Sequence, residues 1–150
     1  MNLPASAERP HLPYPAPIDA YGKGGFRFAG LSHRGSLMCL PDGIWAWPVA
    51  APDEVTAQTL AQVFDAAVRL DLFLLGTGRD FWLAPPALRE RFRAHGLKWE
   101  AMPTSAAIRT YNVLVAEGRR VGAGLIAIID SLAAARVGVL RAGEGAADTV

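Results

Sequence analysis

The sequence contains one cysteine, almost no net charge and no long apolar run. With Cys39 as its single thiol, the chain can form neither an intramolecular disulfide nor a cysteine-rich zinc site. Its 15 basic and 14 acidic residues leave a net charge of +1, without the positive excess typical of nucleic-acid-binding domains. The longest apolar run, residues 121–129, stops at Asp130 and is too short for a membrane span, which needs about 20 residues.

Targeting signals and metal-binding patterns are also missing. The N-terminal residues have neither a basic segment nor an apolar core, so we expect no secretory signal. The single thiol suits a reducing compartment, and the predicted location is cytoplasmic. Three separated histidines offer no spacing of metal ligands. We therefore predict no metal, no cofactor and no nucleic-acid partner.

Length and composition predict one folded domain between two flexible ends. Apolar residues make up 51% of the 150 residues, which is too many for a disordered chain and enough for a core. Residues 1–17 are rich in proline, so we expect an extended, poorly ordered arm. Residues 141–150 are small and polar and predict a flexible tail. A single α/β domain would then span residues 18–140.

The N-terminal third of that domain favours antiparallel strands. Residues 25–30 alternate with period two between glycines, which predicts a strand. Residues 36–40 and 44–47 flank the sequence PDG, and these turn-forming residues predict a β-hairpin. Trp45 and Trp47 share one face of the second strand, where core packing is favoured over an exposed partner site.

From residue 56 onward, helical and strand patterns alternate. A helix capped by Thr56 is predicted from apolar residues at positions 60, 63, 64, 67 and 68. Residues 72–75 form a continuous apolar run, as expected of a strand covered on both faces. Further helices are predicted from Pro86 to Gly96 and from a capping Thr104 to Gly118, with strands at 97–100 and 121–128.

Alternating strands and helices with short connections predict parallel neighbours in one sheet. The fold class is therefore α/β: a three-layer sandwich around a mixed, largely parallel β-sheet with an antiparallel hairpin section. A domain of this kind favours homodimer formation through an exposed sheet edge or an apolar patch.

Several segments together resemble one family. They are GLSHRGSL at 30–37, LGTG at 75–78, MPTSAAIRTYNVL at 102–114 and EGRRV at 117–121. This pattern is similar to that of a small α/β domain family of unknown function, typified by a methanogen protein, whose mitochondrial member helps assemble respiratory complex I. The resemblance implies a three-layer fold without established catalysis or cofactor. A cysteine common in the family near the start of the helix that begins at Thr104 is Ile108 here, which argues against thiol chemistry.

The predicted binding site combines the glycine-rich turn after the buried strand with the helix begun by Thr104. A turn of this kind lets backbone amides approach an anion at the carboxyl end of a strand, and a helix N-terminus also favours anions. In the structural alternative, the glycines serve a tight turn and the helix side chains bond to neighbouring loops. The predicted cleft consists of Gly76, Thr77, Gly78, Arg79, Thr104, Arg109 and Asn112.

Other reactive side chains have simpler interpretations. Ser36 lies outside a nucleophile elbow, and no acid is placed to orient His33, so we expect a polar cluster rather than a hydrolase site. Cys39 lies within a strand without a basic neighbour in sequence, which predicts an inert core thiol. No catalytic residue is predicted.

Two functions from different classes follow. The first is a non-catalytic assembly or interaction factor whose partners are proteins, such as subunits of a respiratory or other membrane complex. The alternative is a binding domain for a small molecule or anion, or an unrecognised enzyme, that uses the glycine-rich turn and Arg109.

Overall fold

In a computed structural model, residues 9–129 are described and contain eight strands and three α-helices. Short 3₁₀ turns occur at Pro52–Glu54 and Ala67–Arg69. In chain order, the elements are β1 Ala20–Gly22, β2 Gly25–Phe28, β3 Leu31–Arg34, β4 Ser36–Leu40, β5 Gly43–Trp47, α1 Ala61–Asp65, β6 Leu72–Gly76, α2 Pro86–Ala94, β7 Trp99–Met102, α3 Thr104–Ala116 and β8 Val121–Leu125.

The central sheet has five strands in the order β5-β4-β8-β6-β7. Strand β6 runs parallel to β7 and β8, whereas β4 is antiparallel to β5 and β8. The sheet is therefore mixed, as predicted, with its parallel half built from the βαβ units and its antiparallel half from the hairpin. Strands β1, β2 and β3 form a separate antiparallel sheet.

Both faces of the central sheet are buried, which produces three layers. On one face, Phe73 and Leu75 of β6 pack with Leu88 and Phe92 of α2. On the other face, Leu74 lies in a cluster with side chains of α3 and with the phenylalanines of β2. Because side chains alternate across a strand, a strand covered twice must be apolar at every position. The predicted α/β three-layer fold is confirmed.

Two glycines of β8 admit large side chains from neighbouring strands. A Cβ atom at Gly124 would lie 2.9 Å from Trp47 Cζ3, and one at Gly122 would lie 3.0 Å from Leu40 Cδ2. The indole of Trp47 is buried and its Nε1 donates to Thr59 O at 2.8 Å. The prediction that Trp45 and Trp47 pack in the core is confirmed.

The predicted helix after Thr56 is shorter than its apolar pattern suggested. The α-helical part covers only Ala61–Asp65, and a 3₁₀ turn follows at Ala67–Arg69. The side chain of Val68 is 89% exposed, so its assignment to the buried stripe was wrong. A 3₁₀ turn rotates each residue further around the axis than an α-helix does, which moves Val68 away from the core.

The segment before β1 contacts the domain at several points. The amide of His11 donates to Ile44 O at 2.7 Å, and the amide of Ile44 donates to Leu12 O at 2.9 Å. Leu12 and Ala16 are buried in the cluster on the α3 face. The predicted domain boundaries at residues 17 and 140 stay predictions, and the tail at 141–150 lies outside the described residues.

A histidine pair links this N-terminal segment to β3. His11 Nε2 lies 3.1 Å from His33 Nδ1, and His33 Nε2 lies 3.2 Å from Ser36 O. Burial, and secondly the neighbouring His11, lower the pKa of His33 below its ordinary 6.5. The folded state therefore favours the neutral form of His33.

A lowered pKa in the folded state makes stability depend on pH in one direction. We expect the free energy of unfolding to be fully retained above the unfolded-state value of 6.5 and to fall as pH drops towards the lower folded-state pKa. Urea unfolding at a series of pH values tests this, and His33→Gln should flatten the curve in that range. A variant at exposed His95, His95→Gln, serves as control; equal slopes for wild type and His33→Gln would contradict the assignment.

Candidate functional site

The glycine-rich turn and the start of α3 lie side by side. The amide of Thr104 donates to Gly78 O at 2.8 Å, and the amide of Gly78 donates to Thr104 Oγ1 at 2.8 Å. The end of β6 is also joined to the residue after β8, because Ile126 N donates to Gly76 O at 3.0 Å. The predicted proximity of the turn and the helix start is confirmed.

Thr104 does not cap α3, contrary to the prediction. The N-cap residue is Pro103, and no side chain caps the helix. The fully buried Thr104 hydroxyl instead accepts from Gly78 N and donates to Ile126 O at 2.8 Å. A threonine before an apolar helix suggests a cap in sequence, but here two distant main-chain groups compete successfully for its hydroxyl.

Both glycines of the turn meet steric demands of the fold. A Cβ atom at Gly76 would lie 3.0 Å from Thr104 Oγ1 and 3.1 Å from Thr104 Cα, so a larger residue would require the start of the helix to shift by a few tenths of an ångström. Gly78 has φ +91°, a conformation that favours glycine. The side chain of Thr77 is buried and its hydroxyl donates to Asp80 O at 2.6 Å.

Asn112 bonds to the segment before β1 rather than to the turn. Its Oδ1 accepts from Ile18 N at 2.8 Å, and its Nδ2 donates to Ile18 O at 2.9 Å. The neighbouring Tyr111 hydroxyl donates to Ala16 O at 3.0 Å. These three bonds attach residues 16–18 to α3, which matches the structural alternative for Asn112.

Arg79 and Arg109 are both exposed. Arg79 directly follows the turn, and Arg109 lies on the second turn of α3. Of the predicted site residues, the structure thus joins Gly76, Thr77, Gly78 and Thr104 by close contact, and it ties Asn112 elsewhere. An anion-binding cleft at this place stays a prediction.

The single thiol is in an unreactive environment. Cys39 is buried in the sheet, and burial raises its pKa to about 12. A thiol with such a pKa is protonated at neutral pH and is a poor nucleophile. Residues 9–129 also contain no group of three or more His, Cys, Asp or Glu side chains that could hold a metal ion.

A cavity of about 570 Å³ lies where β4 begins and β8 ends. Ser36 forms part of its wall, donating from Oγ to Val49 O at 2.6 Å and accepting from Ala127 N at 2.9 Å. Sequence reasoning missed this cavity because four separate chain segments form it. Its lining residues are Lys23, Gly24, Arg34, Gly35, Ser36, Trp47, Pro48, Val49, Ala50, Glu54, Ala127 and Ile129.

Two large apolar side chains are exposed on the loop between β6 and α2. Phe81 is 83% exposed and Leu83 is 82% exposed, whereas Ala84 is buried and Trp82 packs against the core. Trp82 and Ala84 therefore hold the loop backbone against the core, while Phe81 and Leu83 point into solvent. Sequence reasoning missed this feature, although FWL between polar and proline residues was a visible signal.

Comparison with known proteins identifies the domain. Residues 18–126 match a family described as protein of unknown function (DUF498/DUF598). The chain belongs to this family. The match covers the whole region from the Asn112 contact at Ile18 to the Thr104 contact at Ile126, so the resemblance inferred from the sequence is confirmed.

Similar proteins come from both bacteria and animals. An uncharacterized protein of Rhodobacter capsulatus is 41% identical over 110 residues, which cover 73% of this chain and 83% of that protein. A mouse protein named NADH dehydrogenase [ubiquinone] 1 alpha subcomplex assembly factor 3 is 29% identical over 109 residues. Those residues cover 73% of this chain but 59% of the mouse protein.

A solved structure with the same fold is described as an outer membrane protein from Bartonella henselae. It is 43% identical, has a TM-score of 0.74, and is matched over 79% of this chain and 99% of its own. Within residues 9–129 of the present chain, no helix is long and apolar enough to span a membrane.

Removal of the Thr104 hydroxyl should destabilise the domain. Thr104→Val keeps the shape but leaves Gly78 N–H and Ile126 C=O without a partner, at a cost of about 2–4 kcal/mol for two buried groups. Thr104→Ser keeps the hydroxyl and should lose roughly 1 kcal/mol for one methyl group. Urea unfolding measures both, with Thr110→Val on the same helix as control. A Thr104→Val variant as stable as Thr104→Ser would refute the role of this hydroxyl.

Proposed function

We propose that this domain is an assembly or interaction factor that binds a protein partner through the exposed loop between β6 and α2. The partner class we propose is a subunit of a respiratory or other membrane complex during its biogenesis. Support for the class comes from family members named as assembly factors of NADH dehydrogenase. Support for the surface comes from Phe81 and Leu83.

The loop has the properties of a preformed binding surface. Thr77 holds its start through the bond to Asp80 O, and Trp82 and Ala84 attach it to the core. Because the loop backbone is already fixed, a partner that binds Phe81 and Leu83 loses little affinity to ordering of the loop. Aromatic residues such as Phe81 are enriched in protein interfaces. The proposal depends chiefly on this exposed pair.

Site-specific photo-crosslinking in cells tests the surface. A photoreactive phenylalanine analogue placed at Phe81 should form an adduct with a subunit of a membrane complex, identified by mass spectrometry. The matched control carries the analogue at Val68, which is equally exposed but lies on the 3₁₀ turn. We expect the adduct at position 81 only. Equal adducts at both positions, or adducts with chaperones alone, would contradict the proposal.

The location of this activity is proposed to be the cytoplasm. The single thiol, buried in the core, is compatible with a reducing compartment. A partner in a membrane complex would then be reached from the cytoplasmic side. Cell fractionation of the untagged protein measures this.

As a second candidate, we propose anion binding near the glycine-rich turn. The exposed side chain of Arg109 and the position of Arg79 directly after Gly78 favour it, because arginine forks recognise carboxylates and phosphates. Two backbone amides of this region are already used, since Gly78 N and Thr104 N donate within the turn. An anion would therefore depend mainly on the arginines.

Thermal unfolding with inorganic phosphate or citrate tests the second candidate. At 100 times the dissociation constant, a ligand should add about 2.7 kcal/mol of stability. Arg109→Ala should abolish the rise in Tm, whereas Arg89→Ala, an exposed arginine on α2, should leave it unchanged. No rise with either anion, or an equal rise in all three proteins, would contradict this candidate.

A further inference from the structure

Strand β7 forms one edge of the central sheet, and within residues 9–129 no strand pairs with its outer side. Towards β6, Phe73 N donates to Lys98 O at 2.9 Å and Thr77 N donates to Met102 O at 2.8 Å. In this parallel register, even-numbered residues direct their main-chain groups to β6. Because these groups alternate between the two sides of a strand, those of Trp99 and Ala101 point outward.

The side chains along this edge carry one charge of each sign. Lys98, immediately before β7, and Glu100, within it, are both exposed. Being two residues apart along extended backbone, they face the same side of the sheet. Trp99 projects to the other face, where its ring stacks on Phe92 with 4.3 Å between ring centroids. Lys98 and Glu100 therefore lie on either side of Trp99, whose main-chain amide and carbonyl point outward from the edge.

We propose that two copies of this chain associate through antiparallel pairing of β7 with β7, centred on Trp99. Trp99 then lies opposite its own counterpart, so the outward amide and carbonyl of each copy meet those of the other. The same register places Lys98 opposite Glu100 twice, once on each side of the two-fold axis. Such a self-complementary patch is what a two-fold interface requires. The two five-stranded sheets become one continuous sheet.

Neighbouring registers are disfavoured by the same residues. Centring the pair on Glu100 places two glutamates directly opposite each other, which is destabilising. Centring it on Ala101 places Trp99 opposite Pro103, which has no amide to donate. The register centred on Trp99 avoids the glutamate contact and matches opposite charges. Its outer pairs set Ala101 opposite Leu97, whose amide already donates to Phe92 O at 3.1 Å, so each outer pair adds one main-chain bond rather than two.

The charges select the arrangement more than they supply binding energy. Exposed ion pairs contribute roughly 0–1 kcal/mol each, so affinity would come from the main-chain bonds and from surface buried beside them. Charged residues on an edge strand often serve to prevent pairing. Here the opposite signs, two positions apart, make the edge complementary to itself, which two lysines would not. The dimer proposal does not rest on the proposed assembly role.

Sedimentation velocity over a range of protein concentrations tests the dimer. The wild type should shift from the 16.0 kDa monomer to twice that mass as concentration rises. Lys98→Glu and Glu100→Lys should each weaken the dimer by about tenfold or more, because like charges then face each other. The double exchange of both residues should restore wild-type association. Glu117→Lys, an exposed charge reversal at the end of α3, is the control.

Crosslinking tests the register itself. A mixture of a Lys98→Cys chain with a Glu100→Cys chain should give a disulfide-linked dimer on mild oxidation, whereas each chain alone should not. The buried Cys39 does not compete. A wild type that stays monomeric at millimolar concentration would overturn the proposal. A dimer that ignores the single charge reversals, or that crosslinks equally in unmixed samples, would overturn it too.

Discussion

The hydroxyl of Thr104 is the interaction on which the arrangement of this domain most depends. It is buried where β6 ends, α3 begins and β8 ends, and it bonds to the main chain on both sides, at Gly78 and Ile126. Buried main-chain groups must be paired. The Thr104 hydroxyl therefore determines the position of the start of α3 against the sheet. Gly76 makes this possible by leaving space for the helix start. With α3 in this position, the side chain of Asn112 on the same helix hydrogen-bonds to Ile18 and holds the segment before β1.

Four thiol and hydroxyl side chains lie inside the fold. The thiol of Cys39 and the hydroxyls of Ser36, Thr77 and Thr104 are buried. What the domain presents to solvent on its parallel side is different in kind: an anchored loop with two apolar side chains, and a strand edge with two complementary charges. Both features suit contacts with proteins, the first with an apolar partner surface and the second with an extended strand. The exposed loop is the basis of the interaction role proposed above.

Patterns of local origin were predicted well from the sequence. The hairpin around residues 41–43 and the apolar strand β6 were predicted because turn chemistry and burial on two faces leave direct traces in the sequence. Helix α3 was predicted between Thr104 and Gly118, and Gly118, at φ +76°, follows its end. The helix at α1 was overestimated, because a 3₁₀ turn replaces its last part and exposes Val68. Apolar spacing alone does not distinguish these two kinds of helix over so few residues.

The sequence by itself determined the α/β class, the family and the apolar run that becomes the central strand, since these depend on composition, periodicity and local turns. Only the tertiary structure decided what Thr104 and Asn112 do, because their partners lie 22 and 94 residues away in the chain. It also decided that Phe81 and Leu83 remain outside the core while Trp82 lies against it. Hydrogen bonds and burial between distant segments depend on how the layers stack, and one-dimensional spacing carries no record of that stacking.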